Sequence, residues 1–253
     1  MIILEGGINH FGKIKLANKI VKFFLNSSFR HLTFMVHTAN FNDSFRKKRI
    51  NFELPVSFYK KALALAHKKK KFIGLSVCDL NSFKKYSDIN FDFYKLLSIA
   101  INNKELINFL KIKNKEIFVS LAKGSNKNIN KCLKLFKPLK KINLIYTSMS
   151  YNNSDLKLDR IKNLKKIYNC KVGYGHHHNS NLPIYLSRYF EPDFYFMYIK
   201  PEYKSGRVYP DNDHAFFFEE LKKINVDIKN TDEILESKKL KTKIKLNAKK
   251  IRL

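Results

Sequence analysis

The chain has 253 residues, 44% of them hydrophobic, with 22 Phe and a formal net charge of +29. That length suits one large domain with a sizeable core, and the apolar content excludes a disordered polybasic chain. Three scattered cysteines, Cys78, Cys132 and Cys170, exclude a disulfide framework or zinc knuckle and point to a reducing, cytoplasmic compartment.

Short apolar runs alternate with helical patterns from the first residues onward. Ile2–Leu4 reads as a strand ending in Glu5-Gly6-Gly7, and a helix follows from Lys13 with Leu16, Ala17, Ile20, Val21 and Phe24 on one face. Leu32–Val36 is the second strand, Thr38–Leu54 a polar insertion, and Pro55 suits the first turn of a helix reaching Lys69. Strands three to eight are expected at Phe72–Val77, Phe91–Leu97, Ile117–Leu121, Asn143–Thr147, Lys171–Tyr174 and Phe194–Ile199. Helical spacing follows each of them, the last carrying Phe217, Leu221 and Ile224. Eight β–α units in about 225 residues favour a parallel sheet closed into a single-domain (β/α)8 TIM barrel. An open doubly wound sheet is the alternative, although no GxGxxG or P-loop opens the first helix. The barrel is expected over residues 1–226. The Lys-rich segment 227–253 lacks a clean period and reads as a tail, linker remnant or wrapping arm.

The N-terminus turns polar too soon for a signal peptide, and no run approaches the roughly 18 apolar residues of a membrane span. The charge invites a nucleic-acid reading. Only seven of the 50 basic residues are Arg, however, and Arg is the usual bidentate reader of bases and phosphates. A solvated Lys-rich surface that attracts anionic small molecules such as phosphate esters fits better.

In such a barrel the site lies at the C-terminal strand ends. His10, His37, His176, His177, His178 and His214 all follow strand ends, whereas His31 and His67 do not. Polar loops tolerate His, so a functional rim competes with a bland one. Three adjacent histidines cannot all converge on one ion, so at most two of the triplet are candidate ligands. Ser76, Asp79, Lys95, Ser98, Ser120, Ser150, Tyr151 and Asp213 fall on the same rim. Lys95, inside a buried strand, must project into the barrel mouth or find a buried partner, and a phosphate or carboxylate ligand is a natural one. A snorkelling Lys is the alternative.

Six motifs in order carry a family resemblance. They are Glu5-Gly6-Gly7-Ile8-Asn9-His10, Tyr94-Lys95-Leu96-Leu97-Ser98, Phe118-Val119-Ser120, Ser148-Met149-Ser150-Tyr151, Gly173-Tyr174-Gly175-His176-His177 and Pro210-Asp211-Asn212-Asp213-His214. From about residue 3 to 224 the chain resembles the sialic acid (N-acetylneuraminate) synthase family. The resemblance implies condensation of phosphoenolpyruvate with an N-acyl amino sugar in nonulosonic acid biosynthesis, aided by a divalent ion, usually manganese. It implies Ser76, Lys95, Ser98, Ser120, Ser150 and Tyr151 around phosphoenolpyruvate. Glu5, His10 and Asp213 become the catalytic residues facing the sugar, and His177 and Glu202 the metal ligands. A homodimer is also implied.

This sequence departs from the pattern at several positions. A phosphate-binding Lys becomes Thr33, a carboxylate becomes Ala100, the second metal His falls on Glu202, and an Asn becomes Ser150. The resemblance stops short of the family's C-terminal antifreeze-like domain, which this sequence is expected to lack. Three functions follow: a synthase with an altered site, a catalytically degenerate barrel serving as a binding or partner protein in the same pathway, and a nucleic-acid binder.

Overall fold

The computed structural model describes residues 1–36, 52–122, 124–137, 141–203 and 206–250, with side chains as far as 236. The expected insertion and His37 lie largely or wholly outside them. Eight apolar runs form β1 (Ile2–Glu5), β2 (His31–Val36), β3 (Phe72–Val77), β4 (Phe93–Leu96), β5 (Glu116–Ser120), β6 (Ile142–Tyr146), β7 (Val172–Gly175) and β8 (Tyr195–Tyr198). All pair in parallel, each with its sequence neighbours, and β1 also pairs with β8, Ile2 opposite Tyr195 and Glu5 opposite Tyr198. The sheet is therefore a closed barrel, and the open doubly wound alternative is excluded.

Helices α1 (Ile14–Asn26), α2 (Val56–Lys68), α3 (Leu80–Lys85), α4 (Lys104–Ile112), α5 (Asn126–Phe136), α6 (Arg160–Tyr168), α7 (Leu182–Ser187) and α8 (Phe218–Lys250) cover its outside. Their buried stripes follow the helical period: Leu16, Ala17, Ile20, Val21 and Phe24 on α1, and Leu106, Ile107 and Leu110 on α4. Local chemistry sets the helix starts. Pro55 precedes α2, and the side chains of Asp79, Asn103 and Ser125 accept main-chain N–H bonds at the starts of α3, α4 and α5. The α1 C-terminus is capped from a distance. The Lys71 ammonium donates to the carbonyls of Phe24 (2.5 Å), Ser27 (2.6 Å) and Phe29 (2.8 Å).

Outward strand residues such as Leu4, Leu75, Leu96 and Val119 pack under the helices. Inward residues alternate with them. A floor of Ile3, Phe93, Phe118, Ile145, Phe194 and Phe196 fills the lower barrel, with Phe118 edge-on to Phe194 at 5.0 Å and to Phe196 at 5.4 Å. Gly173 makes room for this plug, since a Cβ there would lie 2.2 Å from the Phe194 ring.

α8 buries Leu221, Ile224 and Ile228 and runs without a break through the expected boundary at 226 as far as Lys250. Tyr185 donates to Asp227 (3.0 Å), and Arg188 pairs with Asp232. Among the described residues no helix is long and apolar enough to cross a membrane.

Candidate active site

Above the aromatic floor the inward positions turn polar. Glu5 on β1, Thr33 on β2, Ser76 on β3 and Lys95 on β4 are all buried and joined. The Ser76 hydroxyl donates to Glu5 Oε2 (2.8 Å), so Thr33 donates to Ser76 (2.9 Å). The Gly7 N–H donates to Glu5 Oε1 (3.0 Å). Lys95 Nζ donates to Glu5 Oε2 at 3.0 Å and to the Tyr198 hydroxyl at 3.5 Å. It also lies 4.7 Å above the Phe196 ring. Lys95 has thus found the buried partner its position demands, and that partner is Glu5. Thr33, where the resembled pattern carries a cation, serves only this hydrogen-bond chain.

A cavity of about 240 Å³ opens over this network at the C-terminal end of the barrel. Lys95, Ser98, Ser120, His177, Tyr198 and Asp211 supply its polar wall, and Met35, Ile99, Ile145 and Phe196 much of the apolar one. Four residues anticipated from the sequence therefore meet in one chamber: Lys95, Ser98, Ser120 and His177. Glu5 and Ser76 belong to the network beneath it.

The other candidates lie outside the cavity wall. His10 is buried edge-on against Phe34 at 5.8 Å, its Nδ1 accepting the Gly12 N–H (3.0 Å). Ser150 caps its own loop, accepting the Asn152 N–H at 3.1 Å. Tyr151 is 45% exposed, and its hydroxyl stands 3.4 Å from His214 Nδ1. Asp213 is exposed. Glu202 is held by Lys19 of α1 and by Arg207, which together with the Tyr209 hydroxyl bond to its carbonyl (2.7 Å) ties down the loop after β8.

The histidine triplet divides three ways. His176 stacks on Phe216 at 5.2 Å in the packing between β7 and the last loop. His177 lines the cavity, stacked on His214 at 4.2 Å and edge-on to Tyr198 at 4.8 Å. His178 Nε2 donates to the Tyr151 carbonyl (2.9 Å), while its Nδ1 accepts the Ser180 N–H (3.0 Å). Burial, then His214 and Lys95, pull the His177 imidazole well below its ordinary pKa; burial takes His214 down to about 4 and His176 to about 3. All three rings are neutral at pH 7.

Neutral imidazoles can ligate metals, but the donor set does not assemble. Among the described residues no three His, Cys, Asp or Glu side chains are grouped to hold an ion. The Glu202 carboxylate is already neutralised by two cations. The expected pairing of His177 with Glu202 therefore does not fit a metal centre here.

Asp211 was not singled out from the sequence. Its carboxylate lines the cavity, and among the described residues Oδ2 has no hydrogen-bond partner and is shut off from solvent. Gly7, with φ of +50°, admits it: a Cβ at position 7 would lie 2.7 Å from Asp211 Oδ2. Asn9 fixes the approach, accepting the Asp211 N–H (3.1 Å) while donating to the Ile199 carbonyl (2.9 Å). Burial, and then the Glu5 charge, push the Asp211 carboxyl up to about 7, against the opposing pull of Lys95. Burial likewise raises the Tyr198 hydroxyl well above the ordinary range.

A wider depression of about 840 Å³ lies at the opposite face, where Glu116, Lys141 and Lys171 surround the strand starts. Its charges pair locally, as in Lys165 with Asp193 at 3.0 Å, so the C-terminal mouth is the better site.

The sequence profile described as the NeuB family matches residues 13–187. The fold is similar to N-acetylneuraminic acid (sialic acid) synthetase from Leptospira borgpetersenii serovar Hardjo-bovis, with a TM-score of 0.83 and 19% identity over 92% of this chain and 84% of that one. The spore coat polysaccharide biosynthesis protein spsE of Bacillus subtilis aligns at TM-score 0.78 and 18% identity, covering 94% and 69%. The DAHP synthase of Thermotoga maritima aligns at 0.74 and 12% identity, covering 93% and 69%. No curated protein matches by sequence.

Proposed function

Because the chain belongs to the NeuB family, we propose that it is a sialic acid synthase-like enzyme that condenses phosphoenolpyruvate with an N-acyl amino sugar. The observation that carries this reading is the meeting of Lys95, Ser98, Ser120 and His177 around one cavity at the barrel mouth. A lysine ammonium has three donors. Glu5 and Tyr198 take two, which leaves one for a substrate anion in the cavity that Lys95 lines. The hydroxyls of Ser98 and Ser120 complete that grip, with Ser76 supporting it through Glu5. Glu5 holds Lys95 from beneath the cavity, while His10, Ser150, Tyr151 and Asp213 lie outside its wall and are given no contact with the reactants.

The enol carbon of phosphoenolpyruvate attacks the open-chain aldehyde carbon. Water then adds to the cationic carbon, and phosphate leaves with cleavage of its C–O bond. The chain's residues hold the two reactants in line, and positioning of this kind is worth orders of magnitude in rate. Nothing in this scheme is assigned to a metal, because the donor set does not fit one.

A second reading, a catalytically degenerate barrel that binds a pathway sugar or protein, is favoured by a separate observation. Among the described residues that line the chamber Lys95 is the one cation, and it is already paired with Glu5 (3.0 Å). Phosphate release from phosphoenolpyruvate, assayed with a panel of N-acyl amino sugars with and without manganese, separates the two. Release that requires both substrates is the expected result. Its absence from folded protein with every sugar would leave only the second reading.

A further inference from the structure

We propose that Asp211 is the acid of the barrel mouth, donating a proton to the carbonyl oxygen of the aldehyde substrate. The inference rests on the condensation reading above. When a carbon nucleophile adds to an aldehyde, the carbonyl oxygen becomes an alkoxide and needs a proton as the bond forms. The proton must come from a group that holds one at neutral pH, touches the chamber and has an oxygen to spare.

Asp211 meets these conditions on geometry. Its carboxyl lines the cavity with the side chain 19% exposed, so Oδ1 is the oxygen open to a substrate and to solvent, while Oδ2, shut off behind the wall, has no hydrogen-bond partner among the described residues. A buried carboxylate oxygen with no donor is costly, whereas a protonated one carries its own hydrogen-bond donor. Glu5 cannot do the same work, since its oxygens already accept from Gly7, Ser76 and Lys95. Asp213 is exposed. His177 and His214 carry no extra proton at neutral pH.

The groups facing Asp211 come from every side of the mouth: Glu5 on β1, Lys95 on β4, Tyr198 on β8, Tyr151 after β6, and His214 Nε2 at 3.7 Å from Oδ1 in its own loop. Burial and then Glu5 oppose ionisation of Asp211, and Lys95 favours it. Proton transfer leaves Asp211 as carboxylate and the sugar oxygen as hydroxyl. Solvent restores the proton before the next turnover.

Asp211→Asn preserves shape and the main-chain bond to Asn9 but carries no acidic proton. Phosphate release by the wild type is expected to fall as pH rises through about 7, because the working form is the protonated one. In Asp211→Asn that limb should vanish, kcat should drop by about 10²–10⁴-fold and KM should change by less than about threefold. A second readout needs no substrate. A carboxyl raised in the folded state contributes stability that is complete below the ordinary carboxylate range and is lost as pH rises toward about 7. Thermal melts of the two proteins should therefore diverge between about pH 4 and 7, with the variant gaining, and run parallel above that. Retained kcat with an unchanged pH limb, or melts parallel throughout, would overturn the proposal. If no sugar turns over, the condensation reading fails by itself, and the melts alone decide whether Asp211 is the mouth's proton-holding acid.

Discussion

Lys95 and Glu5 come from strands 90 residues apart in sequence and form the buried ion pair at the centre of the site. Such pairs add little net stability, yet breaking one strands the remaining charge. Lys95→Met should thus cost about 3–5 kcal/mol in urea unfolding. Adding Glu5→Gln should recover much of that loss, because the orphaned charge goes with it. A single variant as stable as the wild type would show that the pair is not held as described. The need of Lys95 for a partner was legible in the sequence, because an ammonium cannot sit unpaired in a buried strand. The identity of the partner was not, since Glu5 and an external anion satisfy the same requirement. Asp211 was illegible for a different reason. Pro210-Asp211-Asn212-Asp213 offers two carboxylates two residues apart, and only the anchoring by Asn9 and the vacant side of Gly7 decide which one turns inward.

The eight strands were readable as elements because a parallel strand buried on both faces appears as a short continuous apolar run. Their ends moved by only one or two residues, as at Phe91–Leu97 against the observed Phe93–Leu96. α8 was readable only in its first half. Periodicity fades after Ile228, but Lys, Leu and Glu are good helix formers, and propensity favours continuing the helix as far as Lys250. The cap on α1 could not be read locally, since it arrives with Lys71, more than forty residues after the helix ends. Cations at a helix C-terminus oppose the partial negative charge there. Lys71→Met should lower stability by about 1–3 kcal/mol in chemical denaturation, by leaving three carbonyls without their donor. A loss below about 0.3 kcal/mol would mean that water replaces the ammonium at no cost.

At the scale of the molecule, a net charge of +29 on 253 residues makes self-repulsion a standing term in its stability. Raising sodium chloride from about 10 mM to about 200 mM shortens the Debye length from roughly 30 Å to below 10 Å. The melting temperature should rise over that range. A flat or falling response would show that local pairs such as Lys85–Glu53 and Lys165–Asp193 already balance the surface.

Closure of the barrel also has a consequence in time. β1 is the first strand made, and one of its edges is satisfied only by β8, with Ile2 opposite Tyr195. At ribosomal speeds of about 5–20 residues per second, that edge waits roughly ten to forty seconds for its mate. Until then the nascent chain presents a bare apolar ribbon, and Glu5 stands at its rim. A cell that makes this protein must shelter that ribbon during synthesis, and slowing elongation should increase the fraction lost to aggregates.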